Sequence, residues 1–338
     1  MSQPTDGPIR ALIVGAGLMG RWHAHALSRA GGRVAAVADL QPGAARALAA
    51  RYQAESFETA AEMLSGVKAD VLHICTPLDT HVLLAERGLE AGLHILIEKP
   101  LAPDGAATAQ LLDEAQSRGR LLMPVHQFVF QDGMRTALAQ AALIAPLIHL
   151  AATAYTAGGD VLNGPGRDQL AADILPHALS LCQEFVSCGV DSLQWSVLHP
   201  ASGELEAIGH AAGTSLSIRI STSARPTRNE FTVSGARGTV HVDLFHGFAV
   251  VQKGGVSRLQ KAIQPFTFAT QTFAAAGTNL VSRTVRSEPA YPGLRQLILK
   301  FYQAIRSGAP APIAPATTLA IARARDGLLA GLRQVDEQ

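Results

Sequence analysis

At 338 residues, 48% hydrophobic and 16% charged, the chain is long enough for two domains and apolar enough to bury a core in each, which excludes intrinsic disorder. With 28 basic and 27 acidic residues the net charge is +1, and no single-sign block exists to attract a nucleic acid. Mean hydropathy is +0.17, yet no apolar run reaches the roughly 18 residues needed to span a bilayer, so no membrane partner is expected. Cys75, Cys182 and Cys188 are an odd number of thiols in a chain that needs no staples, and the expectation is reduced, mostly buried cysteines. The polar start, residues 1–8, runs into an apolar strand without a charged stretch followed by a hydrophobic one, which leads to the expectation of a cytoplasmic protein.

From Arg10 to Val125 short aliphatic runs alternate with helical patterns. The runs are Arg10–Val14, Val34–Ala38, Val71–Cys75, His94–Ile97 and Leu121–Val125, with Ala/Leu/Arg-rich segments such as Gly43–Arg51 and His81–Ala91 between them. Strands without polar alternation are those buried on both faces, which predicts a doubly wound parallel sheet. Gly15-Ala16-Gly17-Leu18-Met19-Gly20 follows the first run directly and opens a helical stretch. In that context the glycines give a tight turn, close approach to a pyrophosphate, and close helix–strand packing. Asp39 ends the second strand nineteen residues after Gly20, near the spacing of about 20 expected for the carboxylate that binds the adenosine ribose. A carboxylate there, followed by Leu40 rather than an arginine, favours NAD over NADP, while Arg33 and Arg46 keep NADP open. The bland alternative is a plain glycine turn that Asp39 caps. The fourth run ends in Glu98-Lys99-Pro100, and strand ends of such sheets line the ligand crevice. An ammonium there can stabilise developing alkoxide charge.

Beyond Val125 the pattern changes. Leu147–Tyr155, Leu193–Leu198, Glu204–Gly209, Leu216–Ser221, Glu230–Val233 and Thr239–Val242 alternate partially and are separated by Gly, Ser, Pro and Asn. They predict a largely antiparallel open sheet in an α+β domain. Helices are expected at Asp173–Phe185, Gly293–Arg306 and Ala316–Arg333, while Gly254–Gly277 shows no placeable period. Asp173 and His177 share a helical face, and Pro176 is tolerable if the helix begins near Asp173, which then serves as its cap. His23, His25, His73, His94 and His149 lack complementary ligand spacing and are read as structural, and no metal site is expected.

The order of these elements, with Cys75-Thr76-Pro77 and His81, Gly92-Leu93-His94 leading into Glu98-Lys99-Pro100, Asp173-x-x-x-His177 and Val233-Ser234-Gly235-Ala236-Arg237-Gly238, resembles the glucose-fructose oxidoreductase, inositol dehydrogenase and MocA (Gfo/Idh/MocA) family. That resemblance implies a Rossmann domain over residues 1–124. It implies a substrate-binding and oligomerisation domain over 125–338, whose last helices can pack back on the first domain. It also implies NAD(P)-dependent hydride transfer with a sugar, cyclitol or similar hydroxylated small molecule, with Lys99, Asp173 and His177 as the catalytic set. Gly15, Gly17, Leu18, Met19, Gly20, Asp39, Leu40, Thr76, Pro77, His81, Glu98 and Lys99 then fall on the cofactor side. A homo-oligomer, dimer or tetramer, is expected. The substrate side departs from the family pattern: Gly164-Pro165-Gly166-Arg167-Asp168 stands where a glycine run is common, and His126-Gln127-Phe128 where an arginine is. His126, Gln127, Tyr155 and Arg167 are the substrate-contact candidates. Two other functions compete: a lyase or glycosidase that oxidises transiently with held NAD, and a cofactor-sensing regulator without catalysis.

Overall fold

A computed structural model describes residues 7–255 and 257–336; most of the polar start lies outside the described residues. These described residues divide into two compact units, residues 7–125 with 294–322, and residues 126–293 with 323–336.

The first unit runs β1 (Ile9–Val14), α1 (Leu18–Arg29), β2 (Gly32–Ala38), α2 (Pro42–Arg51), β3 (Glu55–Phe57), α3 (Ala60–Gly66), β4 (Val71–Ile74), α4 (His81–Glu90), β5 (His94–Ile97), α5 (Gly105–Ser117) and β6 (Leu122–Pro124). Its strands form one parallel sheet in the order β3-β2-β1-β4-β5-β6. Strand order reverses between β1 and β4, and the loops leaving β1 and β4 open on that switch point. Leu12, Leu72, Ile74, Ile95 and Ile97 sit in one core with Met63, Leu89 and Leu111 of the flanking helices. This is why the runs carry no polar alternation: each strand is covered on both faces. Late in the chain comes α9 (Leu294–Ser307), whose Leu294, Leu297, Ile298, Phe301 and Tyr302 are buried on one stripe and which packs on α1.

His94 opens β5, and its Nδ1 accepts the Leu121 N–H at 2.9 Å. Burial, reinforced by the Arg120 charge and opposed by Asp70, brings this imidazole down to about 4. Burial likewise holds His73 well below its ordinary range, with the His23 charge adding to it. An unfolded histidine takes up its proton near 6.5, so below that pH the unfolded chain binds protons that these folded imidazoles refuse, and stability falls as pH falls. Between about pH 7 and about pH 5 the His94 contribution is a loss of about 1–2 kcal/mol after allowance for its partial exposure. Denaturant titrations at the two pH values measure it. His94→Asn, which keeps an acceptor near the Nδ1 position without titrating, is expected to flatten the dependence, and an unchanged wild-type midpoint would contradict it.

The second unit contains α6 (Asp132–Ile144), β7 (Leu147–Tyr155), α7 (Gly164–Gln183), β8 (Gln194–Leu198), β9 (Glu204–Ala211), β10 (Thr214–Ser221), β11 (Arg228–Gly235), β12 (Gly238–Asp243), β13 (Phe248–Lys253) and α8 (Arg258–Arg286). Its sheet has the order β13-β12-β11-β7-β10-β9-β8 and is antiparallel except for the β7–β10 pair, which runs parallel with Leu150 beside Leu216. Leu150, Ala152, Leu216, Ile218, Phe231 and Val233 are buried on one face, the face on which α6 and α7 pack. The largely antiparallel sheet agrees with the sequence reading, which missed α6 and the edge strand β13. The last helix, α10, spans Pro315–Asp336. The stretch that carried no placeable period is the first two-thirds of α8, 29 residues long and with no buried residue.

Two sequence expectations require correction. The helix bearing Asp173 and His177 begins nine residues earlier than expected: Asn163 is its N-cap, accepting the Gly166 N–H at 3.0 Å, and Pro165 occupies its first turn. Pro176 therefore lies inside α7, where it withholds one helical N–H, and Asp173 caps nothing. The thiols are free, but Cys188 is exposed, while burial pushes Cys182 up to about 12. Cys75 is half-buried, so only one of the three thiols is buried; burial and the nearby Glu98 charge also raise Cys75, which disfavours its thiolate.

Candidate active site

In the first unit the chemistry collects at the carboxyl edge of the sheet. Gly15 takes φ +92°, which an L side chain rarely adopts, and its N–H donates to the Ala38 carbonyl at 2.9 Å. A Cβ on Gly20 would stand 1.8 Å from the Gly15 oxygen, so α1 can approach the loop this closely only with glycine there. Above Gly17 the space is open: nothing lies within 4 Å of where its Cβ would be. Gly17 caps α1, whose first turn carries no acidic residue, and Leu18 beside it is 55% exposed. A helix amino end with an uncovered glycine and no competing carboxylate fits a dinucleotide pyrophosphate.

Asp39 follows β2, where its carboxylate accepts the Ala16 N–H at 2.6 Å and the Gln41 N–H at 2.8 Å. It thus fixes the glycine loop and places negative charge at the strand end where an adenosine ribose would bind. Leu40 beside it is exposed. Arg33 stands at the other end of β2, roughly 20 Å away at strand rise, which removes it as a partner for a 2′-phosphate. Arg46 lies in α2, its Nε donating to the Pro42 carbonyl.

Thr76 and Pro77 form the exit of β4. His81 ties that loop to the exit of β5, with Nε2 at 2.9 Å from the Thr76 carbonyl and Nδ1 at 2.9 Å from the Pro100 carbonyl. Lys99, half-buried, lies between Glu98 and Pro100 in that second loop, and the Lys99–Pro100 peptide is cis.

Glu98 is turned inward, onto a buried chain of side chains that sequence reasoning missed. Its Oε1 lies 3.0 Å from His23 Nε2; His23 Nδ1 lies 2.9 Å from His73 Nδ1; His73 Nε2 lies 2.8 Å from the Tyr302 hydroxyl. His23, His73 and Tyr302 are essentially inaccessible. One donor order satisfies every group. Tyr302 donates to His73, His73 Nδ1–H donates to His23, and His23 Nε2–H donates to Glu98. Burial holds the Tyr302 proton in place by raising its hydroxyl well above the ordinary value. No local pattern announces this chain, because its members stand on α1, β4, the β5 exit and α9.

In the second unit Asp173 and His177 fall one turn apart on α7, both half-buried. Gln169 Nε2 donates to Asp173 Oδ1 at 2.9 Å. Phe128 lies against the His177 ring with centroids 4.6 Å apart, and His126 meets it edge-on at 6.5 Å. Gln127 between them is buried. His126, Gln127 and His177 therefore share one neighbourhood, to which Phe128 adds an apolar wall. Arg167 does not join it: ten residues before His177 along α7, about 15 Å at helical rise, its Nε holds the Gly159 carbonyl at 3.0 Å. Tyr155 is also elsewhere. It alternates with the buried Leu150 and Ala152 on β7 and so points to the opposite face, where it bonds Arg219, itself 2.9 Å from Glu206. Among the described residues no group of three or more His, Cys, Asp or Glu side chains is placed to hold a metal ion.

Residues 9–126 match the family model described as "Oxidoreductase family, NAD-binding Rossmann fold", GFO_IDH_MocA. An inositol 2-dehydrogenase of Rhizobium meliloti (strain 1021) is 42% identical over 97 residues, 28% of this chain and 29% of that protein. A D-glucoside 3-dehydrogenase of Escherichia coli (strain K12) is 34% identical over 124 residues, 36% and 35% of the two chains. The matches thus span about a third of the length of these curated relatives. Over nearly the whole length, 98% of this chain and 97% of the other, the fold is that of the WlbA dehydrogenase from Bordetella pertussis, solved with NADH and UDP-GlcNAcA, at a TM-score of 0.76 and 17% identity. A glycine loop open at the α1 amino end and a carboxylate closing β2 are the parts that a dinucleotide-binding domain uses. Residues 9–126 therefore carry the NAD-binding Rossmann fold of the Gfo/Idh/MocA oxidoreductase family model, and the remainder of the chain shares the fold of such dehydrogenases.

Proposed function

We propose that the protein is an NAD-dependent dehydrogenase or reductase acting on a secondary alcohol or ketone of a sugar, cyclitol or sugar-like molecule. The observation that carries this reading is the position of Lys99: it follows β5 at the carboxyl edge of a sheet whose α1 amino end is open to a dinucleotide. Bound NAD supplies the hydride acceptor, or NADH the donor. The residues do the rest. Lys99 places an ammonium beside the reacting oxygen and favours the alkoxide as the hydroxyl proton leaves. His177 exchanges that proton at Nε2, its Nδ1 being buried, and an imidazole titrates in the range where such exchange is useful. Asp173, one turn away, orients the exchange. His126 and Gln127 are the substrate contacts this geometry favours, while the arrangement of Tyr155 and Arg167 gives them structural work instead.

The experiment is a screen of polyols, aldoses and nucleotide sugars with NAD and NADP in parallel, read by nicotinamide absorbance. NADH formation with at least one secondary alcohol is expected, and NADP should serve less well because Asp39 repels its 2′-phosphate. Product formed with total NADH unchanged would favour a transient-oxidation lyase, and cofactor binding without any turnover a sensor. Either result would overturn the proposal.

A further inference from the structure

Helix α8 is amphipathic the wrong way round for a helix that belongs only to its own protomer. At 100° per residue, Leu259, Ile263, Phe266, Phe273 and Leu280 fall on one stripe, and all five are exposed, Phe266 by 74% and Phe273 by 83%. The opposite face meets the protein, and it is largely polar. Phe268 touches the His241 ring, Asn279 Nδ2 donates to the His246 carbonyl, and Arg283 donates to the carbonyls of Glu288 and Pro289. A helix normally buries its apolar stripe in its own core; this one rests on polar anchors and turns the stripe outward.

We infer that α8 is an interface at which two copies of this chain associate, helix against antiparallel helix about a twofold axis between Gln271 and Thr272. Three observations single out a second copy as the occupant. The first is spacing: positions 259, 263, 266, 270, 273, 277, 280 and 284 alternate steps of four and three residues, the seam of a paired helix sustained over four heptads. The second is self-complementarity. Antiparallel pairing of the seam on itself sets Leu259 opposite Thr284, Ile263 opposite Leu280, Phe266 opposite Gly277, and Phe273 opposite Thr270. Both phenylalanines thus meet small residues, so large and small side chains interdigitate, as an isologous contact requires. The threonines are ready for burial, since Thr270 and Thr284 already donate their hydroxyls to the carbonyls of Phe266 and Leu280. The third is area. Together with Val281 and Val285 the exposed seam offers on the order of 900 Å² per copy, comparable with the roughly 800 Å² that each partner contributes to a stable interface. Charge points the same way: residues 262–282 contain no Asp, Glu, Lys or Arg. The basic polar face of a helix that lies on membranes is therefore absent, and among the described residues no helix is apolar enough to cross one.

Light scattering and sedimentation of the full chain test this, with Phe273→Glu and Gly277→Glu as variants. Both positions are exposed in the protomer, so melting temperature should hold while particle mass halves. Pairing brings Arg258 and Lys261 beside the Arg283 and Arg286 end of the other copy, so association should tighten with added salt. In a Cys188→Ser background, Phe266→Cys with Gly277→Cys should cross-link between copies, whereas Leu259→Cys alone should not. A particle mass unchanged by either glutamate, a monomeric wild type throughout the micromolar range, or self-cross-linking of Leu259→Cys would overturn the assignment. If the glutamate variants aggregate, the cross-linking pair decides.

Discussion

Lys99→Met and His177→Ala are each expected to lower kcat by about a hundredfold to ten-thousandfold, the range for losing an electrostatic or proton-transfer group. NAD affinity and melting temperature should be retained, because neither side chain belongs to the glycine loop or to the core. The methionine keeps the length of the lysine stem and removes only the charge. If both groups act on the same reacting bond, the double variant will be little slower than the slower single one, since effects within one catalytic unit are strongly non-additive. Steady-state kinetics on a substrate from the screen, with NAD binding by fluorescence titration, measure each part. Full activity in either single variant, or losses that simply multiply, would contradict the roles assigned to them.

The second large effect concerns the glycine loop, where two neighbouring substitutions should separate folding from binding. Gly20→Ala places a methyl group 1.8 Å from the Gly15 carbonyl oxygen, a backbone atom that cannot step aside without opening the turn. Stability is expected to fall by about 1–3 kcal/mol, and NAD affinity by at least about tenfold, or about 1.4 kcal/mol. Gly17→Ala adds the same methyl where nothing stands within 4 Å. That variant should fold as well as the wild type and still bind NAD less tightly, because the methyl occupies the space through which the pyrophosphate approaches. Calorimetric titration with thermal denaturation reads both quantities. Undiminished NAD binding by Gly17→Ala would mean that the dinucleotide does not lie over α1.

Much of the first unit was legible because its physics is local. An aliphatic run such as Val71–Ile74 has one stable home, a strand covered on both faces, and Gly20 is constrained by the carbonyl of Gly15, five residues before it. Asp39 was legible for the same reason, since it sits at the end of the strand that precedes it. The helix α7 was harder. Pro176 argued for a late start, but a helix with its cap at Asn163 and its length packed on β7 and β10 absorbs the loss of one hydrogen bond. The buried chain from Glu98 to Tyr302 was beyond reach, because it rests on pairs separated by 50, 75 and 229 positions. Helix α8 escaped for the opposite reason: its seam is regular, but as a heptad among Thr, Gly and Gln, and a search for a stripe facing its own core passes over it. The separation of Tyr155 from His177 follows from the two faces of a sheet, which strand alternation implies only once the covering helices are known.

Tyr302 closes the proton order that begins at Glu98, and Leu297, Ile298 and Phe301 fill the surface around it. The nucleotide domain is consequently discontinuous: its first 125 residues, expressed alone, would leave His73 with a buried lone pair and α1 with a bare apolar flank. Excision at the apparent boundary should therefore yield an aggregating fragment, whereas a version that splices residues 294–322 after residue 125 through a flexible tether should restore an autonomous, NAD-competent module.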